Sequence, residues 1–149
     1  MLHTHNDALR LGRALEMLFP CDEILVIDHD SDDGTPEVAR EYGAKVLNAA
    51  DASSRPAMPS GWILTLDPRE SITEALAASL FEWKTEPIPP DASAFSVFRR
   101  EETAGGWIEN PVAQTRLVPA DWKRWNGRFP SNDAAAIALE GDLLHFSFP

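Results

Sequence analysis

The densest chemistry in this chain lies at Asp28-His29-Asp30-Ser31-Asp32-Asp33-Gly34-Thr35, a run of acids and hydroxyls that leads into a helix. A second group, Asp67-Pro68-Arg69-Glu70, sets a guanidinium between carboxylates. His3, His5 and His29 fall in the N-terminal part, and His145 stands alone near the other end. Carboxylates so grouped can accept ligand hydrogen bonds, hold a divalent cation or take up a proton. For the first group the bland reading is an acidic turn with Thr35 capping a helix. A calcium loop is excluded, because an EF-hand needs Gly at its sixth position and Glu at its twelfth, where this chain has Asp33 and Ala39.

The elements that must position these groups are legible in order. Asn6 precedes a helical pattern with Leu11, Leu15 and Leu18 on one face, ended by Pro20. Glu23 to Ile27 is a short apolar strand closing on Asp28. Thr35 as N-cap, Pro36, Glu37 and Gly43 punctuate a second helix, and Ala44 to Leu47 is the next strand. Residues 48–60 are small and polar with two prolines and read as loop. Trp62 to Leu66 forms a third strand ending at Asp67, and Ser71 with Glu74 makes a capping box for a helix carrying Ile72, Leu76, Leu80 and Trp83.

Pro87, Pro89 and Pro90 mark the one internal boundary. Beyond it, Ala94 to Arg99, Gln114 to Val118 and Leu143 to Phe148 look like strands, with a turn at Asn126-Gly127. Alternating strands and helices predict one α/β domain with a largely parallel sheet, whose ligand sits at the carboxyl ends of the strands. Asp28 and Asp67 both stand at such ends.

With 149 residues, the chain has the length of one domain. Thirteen Lys and Arg against 24 Asp and Glu give a net charge of -11, which disfavours nucleic acid and anionic lipid as partners. An anionic ligand therefore needs a local cation or a nest of N–H groups. The lone Cys21 excludes an internal disulfide and multi-cysteine metal sites. No apolar run is long enough to span a bilayer, and the opening residues lack a secretory signal pattern, so a cytoplasmic location is expected, extending to the inner face of the membrane.

Several blocks in a row resemble family 2 glycosyltransferases. Ile24-Leu-Val-Ile-Asp-His-Asp-Ser-Asp-Asp-Gly-Thr35, continuing through Tyr42-Gly-Ala44, is similar to their strand, Asp, Ser-x-Asp-Gly-Thr and helix. Thr4-His-Asn-Asp7 resembles their Thr-x-Asn-Glu turn, and Trp62-Ile-Leu-Thr-Leu-Asp-Pro-Arg-Glu70 resembles their Trp-x-Leu-x-Leu-Asp-Ala-Asp-Glu. Weaker likeness at Phe95 to Arg100, Gly106-Trp107, Gln114-x-Arg-Leu117 and Gly141 to Ser147 is similar to the subgroup that adds sugars to lipopolysaccharide cores.

The resemblance implies a single GT-A domain, with residues 1–86 as the nucleotide-binding half and 91–149 as the acceptor side. It implies inverting sugar transfer from a nucleotide-diphosphate sugar to a saccharide or lipid-linked acceptor in making cell-envelope polysaccharide. Thr4, Asn6, Asp7, Asp28, Asp30, Asp67 and Arg69 would bind the nucleotide sugar. Asp67 and Glu70 would hold Mg²⁺ or Mn²⁺, which neutralises a leaving diphosphate.

The chain departs from that pattern where the metal should bind: the second Asp of Asp-x-Asp is Arg69. Either the guanidinium replaces the metal or the metal site has decayed, leaving a non-catalytic paralogue that keeps the fold and nucleotide pocket. The segment before Trp62 is shorter than the family's, and almost no residues precede Thr4 in the first strand. The family's His-Glu pair is absent near Phe129, where Pro130-Ser131-Asn132-Asp133 stands, so Asp133 is the nearest substitute for the base.

A competing resemblance joins His3-Thr-His5 to Asp28-His29-Asp30, as in polymerase-and-histidinol-phosphatase metal phosphoesterases. That reading lacks enough downstream ligands, since only His145 follows His29. Trp62 and Trp83 fit core positions, whereas Trp107, Trp122 and Trp125 are candidates for stacking on a sugar. Arg99, Arg100 and Arg116 are candidates for an anionic ligand.

Overall fold

The computed structural model describes residues 1–51 and 61–148. From residue 52 onward the expected loop 48–60 lies outside the described residues. The first half is built by two helical crossovers: β1 (Leu2–Thr4), α1 (Ala8–Glu16), β2 (Leu25–Asp28), α2 (Thr35–Glu41) and β3 (Lys45–Asn48). These strands lie in the order β1-β2-β3, all parallel, with Thr4 opposite Asp28 and Asp28 opposite Asn48. The expected α/β order is therefore present. Its cause is visible in α1, where Leu11, Ala14 and Leu15 share one buried face against the sheet. In α2 the start is displaced by one residue: Gly34 is the cap and Thr35 is already helical.

The chain continues through β4 (Trp62–Leu64), β5 (Glu70–Ile72), α3 (Glu74–Thr85), β6 (Phe95–Thr103), β7 (Gly106–Trp107), β8 (Val112–Pro119), β9 (Trp125–Asn126), β10 (Phe129–Pro130) and β11 (Ile137–His145). Just after β4, Leu66 bridges Leu2 in parallel, and its N–H donates to the Met1 carbonyl at 3.1 Å. That segment therefore runs beside β1 on the edge opposite β2. Asp28, Thr4 and Asp67 end three neighbouring parallel segments. At the ordinary strand spacing, Asp28 and Asp67 stand roughly 10 Å apart.

The remaining sheet corrects the expectation of a largely parallel one. Its order is β4-β8-β6-β11-β5; β4–β8, β8–β6 and β11–β5 are antiparallel, and β6–β11 is parallel. Strands from residues 1–86 thus pair with strands from 91–149. The helix start expected at Ser71 is also corrected. Residues 70–72 form β5, with Ser71 opposite Leu144, and Thr73 is the N-cap, accepting the Leu76 N–H at 3.2 Å. The last strand ends at His145 rather than Phe148.

Trp62, Trp83 and Phe95 form an edge-to-face cluster with centroids 5.4–5.7 Å apart, so the first two tryptophans occupy the core as expected. Among the described residues, no helix is long and apolar enough to cross a membrane.

Candidate functional site

At the carboxyl ends of β1 and β2 a compact knot of hydrogen bonds joins the two motif blocks. Asp28, nearly buried, accepts from the Thr4 hydroxyl at 2.9 Å and the Ser31 hydroxyl at 2.6 Å on one oxygen, and from the Ser31 N–H at 3.1 Å on the other. Ser31 in turn accepts the Asn6 N–H at 2.9 Å, and the Asn6 side chain accepts the Asp32 N–H at 2.7 Å. Thr35 accepts the Asp7 N–H at 2.8 Å and donates to Asp33. Asn6 and Asp30 have φ of 53° and 57°, left-handed values that Asn and Asp tolerate better than most residues. The loops are thereby cross-braced, with Asn6 and Asp30 exposed and Asp7 half-buried at the mouth.

The histidines pair around this knot. His3 and His29 share one N–H between Nδ1 and Nε2 at 2.8 Å, while His5 Nδ1–H donates to the His29 carbonyl at 2.6 Å. Burial pushes His3 down to about 4, and the charge of Arg128 adds to that; the same two causes lower His29. Among the described residues no three His, Cys, Asp or Glu side chains converge in a way that could hold a metal. The phosphoesterase-type cluster is therefore not assembled by His3, His5 and His29.

Beside Asp67 opens a pocket of about 400 Å³, its wall including Glu70, Arg99, Gln114, Phe129 and His145. Its floor is an ion-pair network that the sequence reading missed. Glu70, 1% exposed, accepts from Arg116 at 2.6 and 2.9 Å, from Arg99 Nε at 2.9 Å and from the Asp67 N–H at 2.9 Å. Burial works to raise its pKa, but the Arg116 hydrogen bonds and charge outweigh it, so the carboxyl lies below the usual glutamate range. Arg116 also donates to the Thr65 carbonyl and to Gln114 and is fully engaged; Arg100 is tied to Asp142 and to two carbonyls. His145 Nδ1 is buried with no hydrogen-bond partner among the described residues, and burial followed by the Arg99 charge lowers its pKa.

A divalent metal does not fit Asp67 and Glu70. Both Glu70 oxygens are taken by guanidinium groups, and one Asp67 oxygen accepts the Arg69 N–H at 2.9 Å. Mg²⁺ and Mn²⁺ need several free oxygen donors in a near-octahedral set, without cations alongside. Arg69 is exposed and does not line the pocket.

Asp133, expected as the base, is instead braced by Ala135 N–H at 2.8 Å, Arg124 at 2.7 Å and Ser93 at 3.3 Å. Those bonds, the Ala135 N–H first, hold its carboxyl below the ordinary aspartate range and leave it a poor proton acceptor. It lies outside the pocket wall, as do Trp107, Trp122 and Trp125.

Against known proteins, no family model matches the chain. Over 92 residues it is 37% identical to the TPR repeat-containing protein of Synechococcus elongatus, covering 56% of this chain and 22% of that protein. Among solved structures, glucosyl-3-phosphoglycerate synthase from Mycobacterium tuberculosis, in complex with Mn²⁺, UDP and glucosyl-3-phosphoglycerate, aligns at TM-score 0.46 and 18% identity, over 70% of this chain and 43% of that one. Residues 1–349 of S. aureus TarS align at TM-score 0.45 and 16% identity, over 80% and 45% of the two chains. The chain spans about a fifth of the length of the curated relative and under half of each structure.

Proposed function

We propose that this chain is a glycosyltransferase-type domain of GT-A architecture. It would hold a nucleotide-diphosphate sugar across the carboxyl ends of β1, β2 and the Leu66 segment. One observation carries the reading. Three sequence blocks that resemble family 2 glycosyltransferases, around Thr4–Asp7, Asp28–Thr35 and Asp67, end on adjacent parallel segments, where open α/β sheets bind ligands. The base would lie near Asp28 and Asn6, and the diphosphate would run toward Asp67 and the pocket beside it. The acceptor, a saccharide or lipid-linked hydroxyl, would approach from the side of β6 and β8.

A second reading, binding without transfer, is favoured by a specific observation: Glu70 and Asp133, the carboxylates offered for metal and base duty, are both engaged by arginines. Both readings require nucleotide binding, which calorimetric titration with UDP, GDP and CDP and their sugars measures. Replacing Asp28 with Asn removes one of its two acceptor oxygens and the charge facing the base; affinity is expected to fall about tenfold or more. Unchanged affinity in Asp28→Asn would take the nucleotide out of this knot. Sugar transfer or donor hydrolysis in the same samples separates the catalytic reading from the silent one.

A further inference from the structure

We propose that the pocket beside Asp67 is an oxyanion site, where Arg99, Gln114 and Asn132 donate to a phosphate or carboxylate group; it rests on the nucleotide-sugar reading above for the source of that group. The pocket wall gathers these three from separate places: Arg99 on β6, Gln114 on β8 and Asn132 just after β10. Val97 lies opposite Gln114, so Arg99, two residues on, shares that face of the sheet. The two are a diagonal pair, roughly 7–8 Å apart. Asn132 is fastened to the same strand, its side-chain oxygen accepting the Thr115 N–H at 3.0 Å.

What this wall offers is donors. Arg116 only donates, so the Gln114 atom it meets at 2.8 and 3.3 Å is the amide oxygen, and the Gln114 NH2 is left over. The Thr115 N–H fixes Asn132 in the same way, leaving its NH2 without a partner among the described residues. Arg99 gives its Nε–H to Glu70 at 2.9 Å, which orients the side chain, and its Nη1 stands 3.8 Å from Glu101, beyond hydrogen-bond range. The rest of its fork makes no hydrogen bond among the described residues.

Acceptors are scarce by contrast. Both Glu70 oxygens are taken by Arg116 and Arg99, and one Asp67 oxygen by the Arg69 N–H. A neutral hydroxyl needs an acceptor as well as a donor, whereas a phosphate or carboxylate oxygen only accepts. A guanidinium also binds two such oxygens at once. Charge points the same way. Glu70 is sealed between two guanidinium groups at 1% exposure, so the cation that faces the pocket is Arg99, with its side chain 20% exposed. The other two arginines that the sequence offers to an anion are spent: Arg116 on Thr65, Glu70 and Gln114, and Arg100 on Asp142 and two carbonyls. The second Asp67 oxygen remains for a hydroxyl of the same ligand.

The test titrates the ¹⁵N-labelled intact chain with inorganic phosphate, glucuronate, glucose and UDP, read on the side-chain NH2 resonances of Gln114 and Asn132. Phosphate and glucuronate are expected to shift both, and glucose, which lacks the charge, to bind about tenfold more weakly or less. Gln114→Glu keeps an oxygen for Arg116 but puts a charged acceptor where the donor stood. It should weaken both anions about tenfold or more, read on Asn132, while thermal unfolding stays at or above that of the parent chain. Arg40→Ala, on the exposed side of α2, should change nothing. UDP that displaces phosphate identifies the nucleotide's own diphosphate as the group held, and UDP that binds alongside it identifies an acid on the sugar or the acceptor; both uphold the site. Glucose binding as tightly as glucuronate, or anion binding unmoved by Gln114→Glu, overturns the proposal. UDP binding at the knot while no anion reaches these amides also overturns it and leaves the nucleotide reading intact. Phosphate in the pocket with no UDP binding anywhere upholds the site and overturns the nucleotide reading. No response to any probe overturns both.

Discussion

Arg116→Met is expected to destabilise the fold by about 3 kcal/mol or more, the cost of removing one partner from a buried ion pair. Glu70 and Arg116 are 1% and 4% exposed, and Arg116 supplies two of the four hydrogen bonds that Glu70 accepts. Without it, Arg99 and one backbone N–H must hold a carboxylate that water cannot reach. Urea unfolding should show the midpoint falling with little change in slope. The double variant Glu70→Met/Arg116→Met should recover much of the loss, because no charge is then stranded. A single-variant cost below about 1 kcal/mol would mean that the pair is not the buried bridge described here.

The same network sets a pH dependence with a definite sign. Glu70's carboxyl lies below its unfolded value in the folded chain, so its contribution is fully present above the ordinary glutamate range. Stability should fall as pH drops through the lower, folded value, where protonation releases Arg116. In Glu70→Gln that portion of the acid limb should flatten.

Gly141→Ala is the second large effect, expected near 3 kcal/mol. Gly141 has φ 98°, and a Cβ there would lie 2.3 Å from the Leu76 backbone nitrogen and 2.6 Å from its Cα. The obstacle is the first turn of α3, which cannot swing aside as a side chain can. Thr73 fixes that turn to β11, its hydroxyl donating to the Asp142 carbonyl at 2.8 Å. Gly127→Ala provides the contrast. It also has positive φ, 64°, but none of the described residues lies within 4 Å of the added Cβ, so only the backbone cost of about 1 kcal/mol is expected. Equal costs in chemical denaturation would show that the α3–β11 contact is looser than described.

The legible part of this fold was the part written in local signals. Leu11 and Leu15 at helical spacing, Pro36 near a helix start and short apolar runs ending in Asp28 and Asp67 fix the crossovers; β2, α2 and β3 lie within a residue or two of expectation, while α1 stops at Glu16, short of Leu18 and Pro20. Ser71 misled because S-x-x-E is a capping signal, while its strand pairing to Leu144 depends on a residue far along the chain. The mixed sheet was hidden for the same reason: β6 and β11 are long, partly exposed strands without clean alternation.

In the site, Thr4 and Asp28 were readable because each motif block is contiguous. The Glu70–Arg116 bridge was not, since its partners are 46 residues apart and sit on β5 and β8, strands that only the long-range pairing of the mixed sheet brings into one layer.

The most direct test of the central claim is to map amide chemical shifts of the ¹⁵N-labelled chain on saturation with UDP, GDP or CDP. Perturbations are expected to concentrate at His5, Asn6, His29, Ser31 and Arg69, around the knot and the adjoining segment that ends at Asp67. No perturbation with any nucleotide, or one confined to the far end around Trp107 and Phe148, would contradict the assignment of this sheet edge as a nucleotide-sugar site.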